Sequence, residues 1–479
     1  MKKLIICLLS LVFMAACVDD LDEYNIDTKR ATNAPPATLF TSALLNLTDV
    51  LTTPNVNTNN IRLYVQHWAT TQYVEEPRYN MTGRLIPQNF WNALYRDVLA
   101  DLNEAKRLLL ADETINETLR NNQLAQIEIM EVYAWSVLVT TFGDVPYTEA
   151  LDPTNTQPVY DDDQAIYNDI LNRLDTALGL IKTMDEAGEP LMGFEEGDVL
   201  YNGDMAQWVK FGNSLKLRLA MVIADVDAAK AGTLVAEAAP NVFESNADNA
   251  IFPYTSATPN NNPISDNVKG DLSSREDFIA ASTLVDLMNE LDDPRRPQYF
   301  TDVDGEFVGG TVGFSNDYEA NSTVSEKVAQ LDFPGVLLDY AEVEFLLAEA
   351  AERGFIAEPA AEHYNAAIRA SILYWGGTEA EADAYLAQPE VNYATAPGEW
   401  REKIGRQAWI AYFNRGYEAW LTWRRLDAPT LIPPVEGLIV PTRLIYPVNE
   451  QTLNPNNRDA AASAIGGDES STKLFWDVQ

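Results

Sequence analysis

Thiols and imidazoles are almost missing from this chain: Cys7 and Cys17 are its only cysteines, His67 and His363 its only histidines. Both cysteines fall within the first seventeen residues, so the rest of the polypeptide can form no disulfide and must be held by its core alone. Two separated histidines leave almost no material for a histidine-based zinc centre or a Ser-His-Asp relay. HExxH, Walker-type and GxGxxG patterns are also absent, which removes most metalloprotease, nucleotide and dinucleotide chemistry. Positive charge is scarce: 33 Lys and Arg face 72 Asp and Glu, a formal net charge of −39. Such a charge repels phosphate backbones and anionic lipid surfaces and keeps a protein soluble, so a neutral or cationic ligand fits better than nucleic acid. Beyond residue 16 there is no second long apolar run, and no membrane-spanning helix is expected.

The one apolar run, Leu4 to Ala16, follows Lys2 and Lys3 and is too short to span a bilayer. Residues 1–16 therefore read as a signal peptide. Ala15 and Ala16 directly before Cys17 resemble a bacterial lipobox, in which the cysteine is acylated and becomes the mature N-terminus. The plainer alternative is an ordinary signal peptide that happens to hold a cysteine. Two or three acyl chains anchor far better than one, at about 0.8 kcal/mol per buried methylene. Residues 17–35 would then be an acylated tether. Its acids Asp19, Asp20, Asp22 and Glu23 resemble the export signal that carries lipoproteins to the cell surface in glycan-degrading Gram-negative bacteria, against the simpler reading of a solvated linker.

From residue 36 onward helical periodicity dominates. In Phe90 to Leu110, Leu94, Val98, Leu102 and Ala105 recur at spacings of three and four and mark one apolar face. The same pattern predicts helices over Leu124 to Phe142, Ala165 to Ile181, Ala206 to Ala224, Tyr340 to Arg353 and Ala360 to Leu373. Small residues alternating with large apolar ones, as in Ala165-Ile166-Tyr167 and its echo around Tyr364, suit closely packed antiparallel helices like tetratricopeptide pairs. Between them, residues 53–60, 75–88, 253–274 and 300–329 are rich in Asn, Gly, Pro, Thr and aromatics. Loops of that length are usually functional or disordered, and their aromatics favour function.

Four ordered segments resemble the SusD/RagB-like family of outer-membrane nutrient-binding lipoproteins. They are Tyr133 to Leu151, with its Gly143-Asp-Val-Pro-Tyr turn; Asp292-Asp293-Pro294-Arg295 leading to Asp304-Gly305-Glu306-Phe307; Leu338 to Gly354; and Ile404 to Asp427 followed by Pro441 to Asn457. The resemblance implies an all-α fold, residues 36–479 forming one domain. Its scaffold would be four tetratricopeptide-like helix pairs, with a few short strands and a loop-rich binding face. It further implies a SusC-like TonB-dependent barrel as partner and an oligosaccharide as cargo, or in some members a peptide. The expected place is the outer membrane, facing outward through the lipid anchor at Cys17, and the expected role is binding without catalysis.

Trp68, Gln72, Tyr73, Arg78, Tyr79 and Asn80, within Gln66 to Asn80, form the richest candidate binding surface, because aromatic faces can cover the C–H patches of sugar rings while amides and Arg bond the hydroxyls. Trp68 and Tyr73 could equally pack under the loop. Tyr254 and Tyr318 are further candidates. Trp91, Trp409, Trp420 and Trp423 sit at helical spacing and read as core, and Arg424 and Arg425 are expected to pair with acids. The acid pairs Glu75-Glu76, Asp292-Asp293 and Glu195-Glu196 keep an extracellular glycosidase in play, although among so many acids most are solvated faces or helix caps. No cofactor is implied. Asp302-Val303-Asp304-Gly305 resembles part of a calcium loop, but Thr311 stands where the closing Glu of an EF-hand belongs, so a turn joining two short strands is expected and a structural calcium ion stays open.

Overall fold

The computed structural model describes residues 34–479; the signal peptide, Cys17 and the acidic run behind it lie outside the described residues. Four antiparallel helix pairs build the scaffold: Glu117–Phe142 with Asp163–Leu180, Met205–Val222 with Ala228–Ala238, Tyr340–Glu352 with Ala360–Tyr374, and Trp400–Ala411 with Gly416–Leu426. Polar caps start five of the eight helices. Asn116 accepts from Thr118 and Leu119, and Asp162, Asp204, Asp227 and Asp339 each accept a backbone N–H from the first turn of the helix that follows. Glu117–Phe142 ends at Gly143, whose φ of 87° and close approach to Leu474 leave no room for a side chain.

Phe90 to Leu110 is helical as predicted but not uniformly so. An α-helix over Ile86–Asn92 widens into a π-helical stretch at Ala93–Leu99 before Ala100–Ala111 resumes. Strands are few: β1 (Trp68–Thr70), β2 (Ala250–Phe252), β3 (Phe278–Ala280) and β4 (Gly335–Leu338) form two antiparallel pairs, β1 with β3 and β2 with β4. At the DVDG segment the expected turn is present, closed by a lone bridge between Val303 and Glu306, with the Gly305 N–H donating to Asp302.

One apolar core runs from Phe40 to Trp476. Through it passes a buried ionic network that ties the pairs together. Arg218 and Arg415 both donate to Glu342, Arg415 also reaches Asp339 at 2.9 Å, and Tyr133 donates to the Leu337 carbonyl that Arg218 also uses. Trp91, Trp409, Trp420 and Trp423 are all buried, as expected. Arg425 pairs with Glu349 at 2.7 Å. Arg424 corrects the expectation: it donates to the carbonyls of Thr140 and Thr442 and lies 3.5 Å over the Trp420 ring. Burial pulls its pKa down to about 9, only partly opposed by Tyr417 and by Asp477, which lies beyond ion-pair distance.

Candidate ligand-binding face

The pairing of β1 with β3 sets Trp68 opposite Ala280 and Thr70 opposite Phe278, and the chain then leaves the sheet into the long 71–85 loop. Two further loops are drawn alongside. Asn316 donates its backbone N–H to the Thr71 carbonyl and its side-chain amide to the Thr70 carbonyl, at 3.1 and 2.8 Å. Gln66 donates to the Ile432 carbonyl at 2.7 Å and accepts from Thr283. Gly313 lets the last two loops meet, since its φ is 76° and a Cβ there would fall 2.4 Å from Pro434.

Five of the proposed residues converge here at the surface. Gln72 is exposed and donates to Asp277; the Tyr73 ring is capped by the Arg84 guanidinium at 4.9 Å. Arg78 donates to the Gly313 carbonyl at 2.8 Å and lies 5.2 Å over Phe314. Asn80 is exposed and accepts from Gly83. Tyr318 packs against the small cluster of Ala69, Ile279, Ala281 and Val312 with Lys269 5.2 Å over its ring.

Three proposed residues are elsewhere. Trp68 is 1% exposed, wedged between Phe278, Phe413 and Arg62, because all three residues of β1 are sealed between sheet and helices. Tyr79, 9% exposed, turns its ring inward edge-on to Tyr64. Tyr254, 5% exposed, follows β2 and donates to Asp49 on the helix Pro36–Thr52, whose carboxyl burial raises to about 6. These rings support the face from beneath or stand apart from it.

Reasoning from sequence also missed two surface groups. Phe314 is 45% exposed and Ile432 75% exposed, beside Arg78 and Gln66 respectively. The signal for Phe314 was an aromatic inside the Gly-rich run Gly309 to Asn316; nothing local marked Ile432.

Backbone strain concentrates here. Of the eight non-glycine residues with positive φ among the described residues, Tyr79 and Leu85 belong to this loop and Gln66 lies just before β1. Most cations here are paired, Arg84 with Glu76, Lys269 with Glu276 and Arg275 with Asp277, while the exposed Glu75 and Asp317 have no cationic partner among the described residues. Arg78 alone of these cations has no carboxylate partner among the described residues. Beneath, His67 sets its two ring nitrogens 3.1 and 2.9 Å from the carbonyls of Phe413 and Trp409, and burial lowers its pKa to about 3. Of the six acids in the three pairs, three are committed to arginines, Glu76 to Arg84, Asp292 to Arg296 and Asp293 to Arg295, and Glu75, Glu195 and Glu196 are exposed.

The SusD-like family model described as "Starch-binding associating with outer membrane" matches residues 28–447, and the chain belongs to that family. Among solved structures it is similar to a protein titled a chitin-binding protein, at 29% identity and TM-score 0.79, over 93% of this chain and 100% of the other. A chitin-binding SusD homolog from Flavobacterium johnsoniae matches at 25% identity and TM-score 0.78, over 92% and 99%. A SusD homolog from Bacteroides uniformis matches at 26% and 0.75, over 92% and 99%. No curated protein matches the chain. No helix among the described residues is long and apolar enough to cross a membrane.

Proposed function

We propose that this chain is a lipid-anchored outer-membrane protein that captures an oligosaccharide on the loop face and delivers it to a SusC-like TonB-dependent barrel. The observation that carries the reading is the set of three rings on this face, Tyr73, Phe314 and Tyr318, each with a cation over it, beside the exposed amides of Gln72 and Asn80. A sugar ring offers a flat C–H patch to an aromatic face and hydroxyls to planar polar groups, and Gln72, Asn80 and the free N–H groups of Arg78 supply the second kind of contact. Two of the similar proteins are chitin-binding, which makes chitin oligomers the first ligands to try. No bond is broken in this role. Tethering beside the transporter raises the effective cargo concentration, so modest affinity per site suffices.

A second reading, peptide cargo, is favoured by the lone Arg78 guanidinium, which suits a terminal carboxylate. A glycan array paired with a pull-down from mixed peptides separates the two. Saturable binding to chitin or starch oligomers is expected, weakened in Phe314→Ala. Silence on every glycan with saturable peptide binding would overturn the saccharide reading.

A further inference from the structure

A second concavity lies away from the loop face, and no residue lines both. It is a cleft of about 750 Å³ between the π-helical stretch Ala93–Leu99 and the loop that follows the Gly143 turn. From this cleft we infer a second saccharide-binding site, taking a neutral oligosaccharide of the same class as the proposed cargo; the inference rests on that functional reading.

Both walls carry backbone irregularities. One is the π-helical stretch that presents Tyr95 and Arg96; the other is Leu151, held at φ 64° without being glycine. Costly conformations of this kind cluster at binding sites, and two of them facing one cleft is the first argument. The second is the aromatic wall. Half-buried Tyr95 lines the cleft, backed 4.8 Å away by the buried Trp91 with planes inclined by 34°, and the Tyr95 hydroxyl is fixed by donation to the Pro146 carbonyl at 2.6 Å. Ring carbon is thereby offered to the cleft while the hydroxyl is already satisfied.

The rim decides the ligand class. Arg96 is held by Asp97 and Arg107 by Glu104, so neither guanidinium is left as an uncompensated cation for a carboxylate or phosphate. On the other side Glu149 is spent bracing its own loop, accepting from Asn155 and from the Val159 N–H. The exposed Asn103 amide has no partner among the described residues and projects from the same helix as Arg107. Asp152 and Glu450 likewise accept from Thr154 and Tyr160, so every acid of the lining is already engaged and no free cation remains. An apolar wall with such a rim matches a polyhydroxylated neutral chain better than a carboxylate or phosphate. The volume lies within the roughly 300–1,000 Å³ of ligand clefts. Two sites on one tethered molecule would let a long glycan be held at two points.

The test is calorimetric titration of the mature lipoprotein in detergent with short chitin and maltose oligomers. Three variants are compared: Ala150→Trp to fill the cleft, Asn103→Ala to remove the free amide, and Arg78→Ala/Phe314→Ala on the loop face. Circular dichroism melts confirm that each folds. Two binding events are expected in the parent, one in Ala150→Trp and one in the loop variant, with Asn103→Ala weakening only the cleft event by about tenfold. A single event abolished by the loop variant and untouched by Ala150→Trp and Asn103→Ala overturns the second site and leaves the proposed function standing. A single event abolished only by Ala150→Trp supports the cleft and displaces the loop face. Binding of no oligosaccharide overturns both.

Discussion

The helix Gly416–Leu426 and the 71–85 loop face use the same chemical pair, a cation laid over an aromatic ring, to opposite ends. In the helix, Arg424 lies 3.5 Å over Trp420 and 4.6 Å over Trp476, with both ring and guanidinium sealed from water and carbonyls accepting its protons. On the loop face Arg78, Arg84 and Lys269 sit about 5 Å over Phe314, Tyr73 and Tyr318, in contact with solvent. A desolvated pair of this kind stabilises by about 2 kcal/mol or more, an exposed one by about 0.5–1 kcal/mol. The buried version therefore acts as cement between helices. The exposed version keeps its ring edges and spare N–H groups free for a partner.

The contrast can be broken most forcefully at Arg425. Arg425→Met leaves Glu349 in the core with only Arg353 beside it, and the urea midpoint should fall by the equivalent of about 3 kcal/mol. Arg424→Lys comes next. A lysine cannot lie flat on Trp420 while reaching two carbonyls, so a loss of about 2 kcal/mol is expected in the same unfolding experiment. If that variant matched the parent, the stacked guanidinium would not be the cement described here.

Acid sharpens the comparison at the seam between the two regions. His67 resists protonation when folded until about pH 3, whereas unfolded it takes a proton near 6.5. Its folded-state pKa is depressed, so its contribution is present above 6.5 and is lost as pH falls towards 3, at about 1.4 kcal/mol per unit. Stability against urea should drop more steeply between pH 6 and 4 in the parent than in His67→Gln; equal slopes would rule out a neutral folded imidazole. The smallest effect on folding belongs to the loop face. Phe314→Ala should change stability by less than about 0.5 kcal/mol, yet weaken oligosaccharide binding by roughly tenfold, the loss of one stacking contact on the order of 1.4 kcal/mol. A variant that binds as well as the parent would take Phe314 out of the site.

Much of the helical body was legible because its signal is local. The apolar spacing of three and four through Leu94, Val98, Leu102 and Ala105, the caps at Asp162 and Asp339, and the stop at Gly143 each depend on residues a turn or two away. Even there a widened helical stretch at Ala93–Leu99 escaped, since adding a residue to one turn leaves the apolar pattern almost unchanged. The candidate site was legible as a region, through loop composition, and much less so residue by residue. Trp68 and Phe314 are both aromatics in irregular stretches, and only one of them faces water.

By itself the sequence determined the helical architecture, the loops that gather at one face and the family pattern, because periodicity, caps and turn residues act over short distances along the chain. Tertiary structure alone decided which rings are offered to a ligand, why Arg424 meets carbonyls while its neighbour Arg425 meets Glu349, and that a cleft opens beside Tyr95. Those outcomes depend on burial by segments more than a hundred residues apart, such as Trp409 against His67 and Pro434 against Gly313, and no local pattern carries that information.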